Sequence, residues 1–308
     1  ALRVRQIGRR WLQTLKVEGK GSGAVSRRGE WETAARVLRG QGRLDLSRLS
    51  ESPLPDLLAR QKVNAVLQPV FHTRVRRTQW IIERADAAIE VALDIGEISA
   101  QGERAALREP ICEVELELKR GQPAALLDLA LELLSVGDTQ APALTPVARS
   151  KAERGYQLTA QHPATAVKAS AKAFVENLTP KATTAGTLRR VVAHGLAVLT
   201  ANIEMLLRYD DPEYVHQARV ALRRVRSAIR LFDREHRDVP QSLADELQWF
   251  ARTLGEARDW DVIADQTLPS LAEGIGVDAT KPLVVQADAR RRQARENIRK
   301  AARSARYA

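Results

Sequence analysis

The sequence is short of the residues that build covalent cross-links and large ligand pockets. Of 308 residues one is cysteine, Cys112, one is methionine, and aromatics make up 4%. A single cysteine excludes an intrachain disulfide and points to a reducing cytoplasm. Scarce aromatics beside abundant Ala and Leu favour thin helical packing over an aromatic-lined pocket, and leave little for stacking on bases. No run approaches the roughly 20 apolar residues that span a bilayer. The best, Ala124–Leu134, is broken by Asp128 and Glu132, and no signal peptide is visible. The five histidines show no HExxH or similar spacing, so a zinc site is discounted. Without an RNP-like, zinc-finger or helix-turn-helix signature, nucleic acid is disfavoured as a partner. No membrane or obligate protein partner is indicated.

What the sequence has is charge. Lys and Arg number 49 against 38 Asp and Glu, a net +11, while 44% apolar residues exclude disorder. A field of that sign concentrates polyanions. From Ala1 to about Leu118 the dominant period is two. Leu2–Arg5, Trp11–Val17, Glu30–Ala34, Gln79–Glu83, Ile89–Leu93 and Ile111–Lys119 alternate, which predicts antiparallel strands. A helix over Ala124–Leu134 follows. From about Ala164 the period becomes helical over Ala166–Leu178, Leu188–Arg208, Pro212–Asp233, Leu243–Glu256 and Thr280–Arg306. The expected fold is α+β, with an incomplete N-terminal antiparallel β-barrel or tunnel (residues 1–158) and a C-terminal all-α bundle (residues 164–308). Residues 158–308 hold 24 basic and 18 acidic residues, leaving 25 and 20 before them. The excess is therefore shared, not a basic tail.

Side chains two apart on a strand share a face. Arg3 and Arg5 do so, as do Glu30 and Glu32, Glu90 and Asp94, and the series Glu113, Glu115, Glu117, Lys119. The bland reading is a solvated sheet face. Stacked carboxylates repel unless cations stand among them, however, and the same half supplies Arg3, Arg5, Lys16 and Arg28. If such faces line a tunnel, Arg and Lys suit phosphate oxygens and carboxylates suit Mg²⁺ or Mn²⁺.

The strings LRVR (Leu2–Arg5), TLK (Thr14–Lys16), RGEWE (Arg28–Glu32), PVFHT (Pro69–Thr73) with Arg77 and Trp80, EVALDIGEI (Glu90–Ile98), PICEVELELKRG (Pro110–Gly121) and SKAERGY (Ser150–Tyr156) resemble a CYTH domain, the triphosphate tunnel metalloenzyme family. The likeness is greatest to bacterial inorganic triphosphatases with a C-terminal helical domain. It implies that Arg3, Arg5, Lys16, Arg28, Arg77 and Lys151 bind triphosphate. Glu113, Glu115 and Asp94 would serve Mg²⁺ or Mn²⁺, and Glu30 and Glu115 the attacking water. The family reaction is in-line attack of water on a terminal phosphoryl group. Two departures stand out. The family's N-terminal ExExK strand would precede Ala1, so the chain as it stands is expected to be impaired in hydrolysis and to be a piece of a longer protein. Val75 stands where some members have Lys.

In the helical half, His216, Arg219, Arg223, Arg226 and Arg230 fall within an arc of about 80° at 100° per residue. A basic helix face is ordinarily solvated. Here every cation but the histidine is Arg, and no acidic residue at three or four spacing neutralises the stripe before Asp233. HQARVALRRVRSAIRLF (His216–Phe232) with LGEARDWDV (Leu254–Val262) resembles a CHAD domain, a helical family associated with inorganic polyphosphate. That likeness implies roles for His216, Arg219, Arg223, Arg224, Arg226 and Arg258, in a first bundle and the opening of a second. Asp259 and Asp261 either pair with Arg side chains and orient them or cap a following helix, and the cap is the favoured reading. The expected function is metal-dependent hydrolysis of inorganic triphosphate beside a polyphosphate-binding helical domain. The alternatives are a non-catalytic polyphosphate-binding module, or a tunnel enzyme for thiamine triphosphate or a nucleotide.

Overall fold

The computed structural model describes residues 1–17, 21–22, 25–26, 29–56, 67–101, 106–135, 144–147, 149–160, 165–170, 183–233, 239–304 and 306–307. Strands β1 (Leu2–Ile7), β2 (Arg10–Val17) and β5 (Gly29–Ala34) form one antiparallel sheet in the order β1-β2-β5. Gly8, with φ +58, opens the two-residue turn that joins β1 to β2. Short hairpins β3 (Gly21–Ser22) with β4 (Val25–Ser26), and β6 (Arg36–Leu38) with β7 (Gln41–Arg43), extend this region. A second sheet has the order β10-β9-β8, from β8 (Phe71–Glu83), β9 (Ala88–Ala100) and β10 (Arg108–Arg120), each of 13 residues. Among the described residues no ladder joins the two sheets into a closed barrel.

Alternation places the faces as expected on the first sheet. Leu2, Leu15, Val17 and Trp31 turn to one side and pack with Leu49 and Leu54, leaving Arg3, Arg5, Lys16, Glu30 and Glu32 on the other. On the second sheet Leu116 and Leu118 are half-buried, whereas Val114, on the same side of β10, is 36% exposed. Helix α1 (Pro123–Ser135) lies near β10. Helix α2 (Lys151–Thr159) packs on β8 and β9. It starts in a capping box: Ser150 Oγ accepts from the Glu153 amide, and Glu153 accepts from the Ser150 amide at 2.6 Å.

The helical half is built from α3 (Thr184–Leu206), α4 (Pro212–Phe232), α5 (Gln241–Val262), α6 (Leu268–Ile275) and α7 (Val277–Ala302). Ile203, Leu206, Val215, Leu222, Phe250, Leu254 and Ile298 interlock α3, α4, α5 and α7 in one core, each large apolar side chain stabilising by roughly 1.5–3 kcal/mol when fully buried. Two expectations change here. Ala166–Ser170 is not helical, because Asn202 clamps both polar groups of Val167 while Gln217 and Arg224 take the amide and carbonyl of Ala169. The remainder of the helix expected over Ala166–Leu178 lies outside the described residues. Asp259 and Asp261 cap nothing, since α5 continues through a π-helical segment (Ile263–Thr267) into α6, and Asp261 is buried against Arg295.

Candidate active site

Register on the second sheet aligns Arg77 with Asp94 and Asp94 with Glu113, so the three form a row across β8, β9 and β10. Glu115 shares the face, two residues along. Arg77 forks onto Asp94, with Nε 2.7 Å from Oδ1 and Nη2 2.5 Å from Oδ2, and Nη2 also reaches Glu115 Oε2 at 2.5 Å. Helix α2 closes over this row. Its Lys151 ammonium is 2.7 Å from Asp94 Oδ2 and 2.7 Å from Glu115 Oε1, and also contacts Glu113 Oε1. Gly155 lets α2 approach, because a Cβ there would stand 2.4 Å from the Phe71 ring. Phe71 meets Tyr156 edge-on at 5.2 Å.

Burial under α2 leaves the Asp94 side chain 1% exposed. That burial alone would raise the Asp94 carboxyl, but hydrogen bonds from Arg77 and Lys151 outweigh it and hold the group below its ordinary value. Glu115 behaves alike: burial raises it, while the Lys151 hydrogen bond and the charges of Lys151 and Arg77 bring it down further. Lys151 is pulled down by burial and pushed up more by its three carboxylates. The Arg77 guanidinium is raised, chiefly by its hydrogen bond to Asp94. All these groups are thus held charged.

Oxygens of Asp94, Glu113 and Glu115 lie within 4.8 Å of one another. Three carboxylates make a hard oxygen donor set that fits Mg²⁺ or Mn²⁺. The Lys151 ammonium already stands as a cation among all three. These residues would hold the ion.

The first sheet carries a second set of pairs. Lys16 is 3.0 Å from Glu30, Arg5 is 2.6 Å from Glu32, and Arg3 is 3.8 Å from Glu30. Arg3 is lowered by burial first, then by the charge of Arg5, and Arg77 of the other sheet adds to the effect.

On α4, Asp211 caps the N-terminus and Pro212 begins the helix. Ala218, Ala221, Leu222, Val225 and Ile229 are buried, and Arg223 and Arg230 are exposed. Among the described residues Arg219, Arg223, Arg226 and Arg230 form no ion pair. Arg226 donates weakly to Gln248 at 3.3 Å and is lowered by burial, then by Arg230 and Arg252. A Cβ on Gly255 would lie 4.0 Å from Arg219 Nε. The stripe thus faces α5, which adds Arg252.

A family model described as CYTH domain matches residues 1–173. The chain belongs to the CYTH domain family. A CHAD domain model matches residues 190–308, so a CYTH domain is followed by a CHAD domain. The inorganic triphosphatase of Haemophilus influenzae is 32% identical over 158 residues, 51% of this chain and 40% of that protein. The chain thus matches well under half the length of that relative. The crystal structure of the CHAD domain from the plant Ricinus communis is similar at 30% identity and a TM-score of 0.38, covering 48% of this chain and 46% of that one.

Of the residues expected in the CYTH site, Arg77, Asp94, Glu113, Glu115 and Lys151 form one network, and Arg3, Arg5, Lys16 and Glu30 share one face of the first sheet. Arg28 lies outside the described residues. In the CHAD domain, half-buried His216 opens the stripe. Arg224 points away from it to the Ala169 carbonyl, and the charge of Arg258 opposes, without reversing, the rise that burial imposes on Asp261. Sequence reasoning missed Arg154 and Glu109. The S-x-x-E box at Ser150 signals the helix that puts Lys151 and Arg154 on one face, but nothing local marks Glu109.

Proposed function

We propose that the CYTH half, residues 1–158, binds metal-chelated triphosphate and hydrolyses inorganic triphosphate, and that the CHAD half, residues 164–308, binds inorganic polyphosphate. The observation that carries the first reading is Lys151 and Arg77 meeting three carboxylates on one sheet face. That arrangement supports a site for a cation and phosphate oxygens together. Lys151 and Arg77 would turn to phosphate oxygens once a metal ion neutralises Asp94, Glu113 and Glu115. Arg3, Arg5 and Lys16 on the first sheet would take further oxygens. Glu115, the most exposed of the three carboxylates at 47%, would accept a proton from an attacking water. The bound ion would supply charge neutralisation on the transferring phosphoryl group. The likeness to an inorganic triphosphatase supports the substrate, and the partner domain favours inorganic over organic triphosphates.

Phosphate release tests this reading, in this chain and in a version carrying an added N-terminal ExExK strand. Tripolyphosphate is expected to be cleaved only with Mg²⁺ or Mn²⁺ by the extended version, and Glu115→Gln to abolish release. Faster cleavage of ATP than of tripolyphosphate would sink the substrate assignment.

A further inference from the structure

The candidate site is tied to the helical half by a chain of ion pairs that runs from Glu113 through three residues outside the expected site, Arg154, Glu109 and Arg208. Arg154, on α2 one turn after Lys151, is 4% exposed and spends its whole fork inward. Its Nη1 is 2.7 Å from Glu113 Oε2, its Nη2 2.7 Å from the Pro110 carbonyl, and its Nε 2.5 Å from Glu109 Oε1. The same Glu109 oxygen accepts from Arg208, just beyond the end of α3. Glu113 therefore has one oxygen on Lys151 and the other on Arg154, and Arg154 in turn shares Glu109 with Arg208.

A second contact holds the same helix. Glu204, four residues before Arg208, accepts from Arg149 at 2.8 Å, directly before the Ser150 cap of α2. Both partners are nearly buried, at 15% and 8%. The end of α3 thus grips α2 at its start through Arg149 and from beneath through Glu109. Charges in the cluster balance: Asp94, Glu109, Glu113 and Glu115 face Arg77, Lys151, Arg154 and Arg208. Burial would raise Glu109, but Arg208 and Arg154 hold it ionised. Without Arg208, one buried guanidinium would be left to serve two carboxylates, which would draw Arg154 toward Glu109 and away from Glu113.

We propose that Arg154 and Arg208 are positioning residues for the metal triad, so that docking of the CHAD half orients Glu113 for the ion. This rests on the metal-site reading above. Partners one step out from a ligand typically change metal affinity 10–100-fold when removed, and Arg208 is two steps out, so its loss is expected at the low end.

Titration of the chain with Mn²⁺ alone, followed calorimetrically, tests it. Positioning and simple charge predict opposite signs, because deleting a nearby positive charge would by itself tighten cation binding. Arg208→Ala is expected to weaken Mn²⁺ binding about tenfold, with the thermal midpoint of the helical signal retained. Arg208→Lys, which keeps a donor for the single Glu109 oxygen, is expected to restore affinity to within about twofold. It also serves as the test if Arg208→Ala does not fold: the inference then requires its Mn²⁺ affinity to stay near that of the parent chain. Unchanged or tighter binding in Arg208→Ala overturns the inference, as does a tenfold loss in Arg208→Lys. If Glu115→Gln binds Mn²⁺ like the parent chain, the metal-site reading itself falls, and this inference with it.

Discussion

The two halves carry nearly equal shares of excess positive charge, and the sheet faces of the one and the α4 stripe of the other hold theirs in opposite ways. In the CYTH half, Arg3, Arg5, Lys16, Arg77, Lys151 and Arg154 each meet a carboxylate. In the CHAD half, the Arg stripe of α4 has no acidic partner among the described residues. Interleaved charges suit a ligand that brings both signs, a metal ion with its phosphates. An uncompensated track suits a ligand that is only anionic and long enough to follow it. Net charge alone cannot separate these cases, whereas the pairing does.

The largest expected effect removes the centre of the interleaved half. Asp94→Ala strips Arg77 and Lys151 of their buried partner and is expected to cost about 3–5 kcal/mol, read by denaturant unfolding, with Mn²⁺ binding lost. A loss below about 1 kcal/mol would show that the pairing is not what holds this face.

Reversing charge on the track comes next. Arg223 is exposed, so Arg223→Glu should leave stability within about 0.5 kcal/mol. It should weaken long-chain polyphosphate binding about tenfold or more, as expected for an ion-release interaction whose affinity falls steeply with salt. Affinity for tripolyphosphate should stay within about twofold. Equal losses for both ligands would erase the distinction between the halves.

The smallest effect is in acid. Asp94, Glu109 and Glu115 are held below the ordinary carboxylate range, so the folded state binds fewer protons than the unfolded chain near pH 4. Their contribution is present above about pH 4 and is lost as pH falls through the lowered values. Asp261 is raised by burial, so its cost is relieved in acid, although Asp210 beside Arg295 and Arg299 works the other way. Amide exchange is therefore expected to accelerate more in the CYTH half than in the CHAD half between pH 6 and pH 3. The reverse order would place the acid-labile ion pairs in the wrong domain.

The elements of each half were legible wherever periodicity was undisturbed. Residues 111–119 alternate cleanly and form β10, and α4 follows its three-and-four spacing to within a residue. The lengths of β8 and β9 were not legible, because Arg77, Asp94 and Gly96 break the apolar alternation. Arg77 and Asp94 are residues of the candidate site, where local rules yield to function. Helix α2 is too short and polar for periodicity to reveal. The cross-strand row and the link through Glu109 to Arg208 depend on register and docking, and neither leaves a local trace.

Diffraction from crystals soaked with Mn²⁺ and tripolyphosphate, read at the manganese absorption edge, tests the central claim most directly. The account predicts an anomalous peak within about 2.5 Å of oxygens from Asp94, Glu113 or Glu115, with the Lys151 ammonium displaced toward phosphate. A triphosphate bound along the Arg219–Arg230 stripe, with no manganese among the three carboxylates, would contradict it.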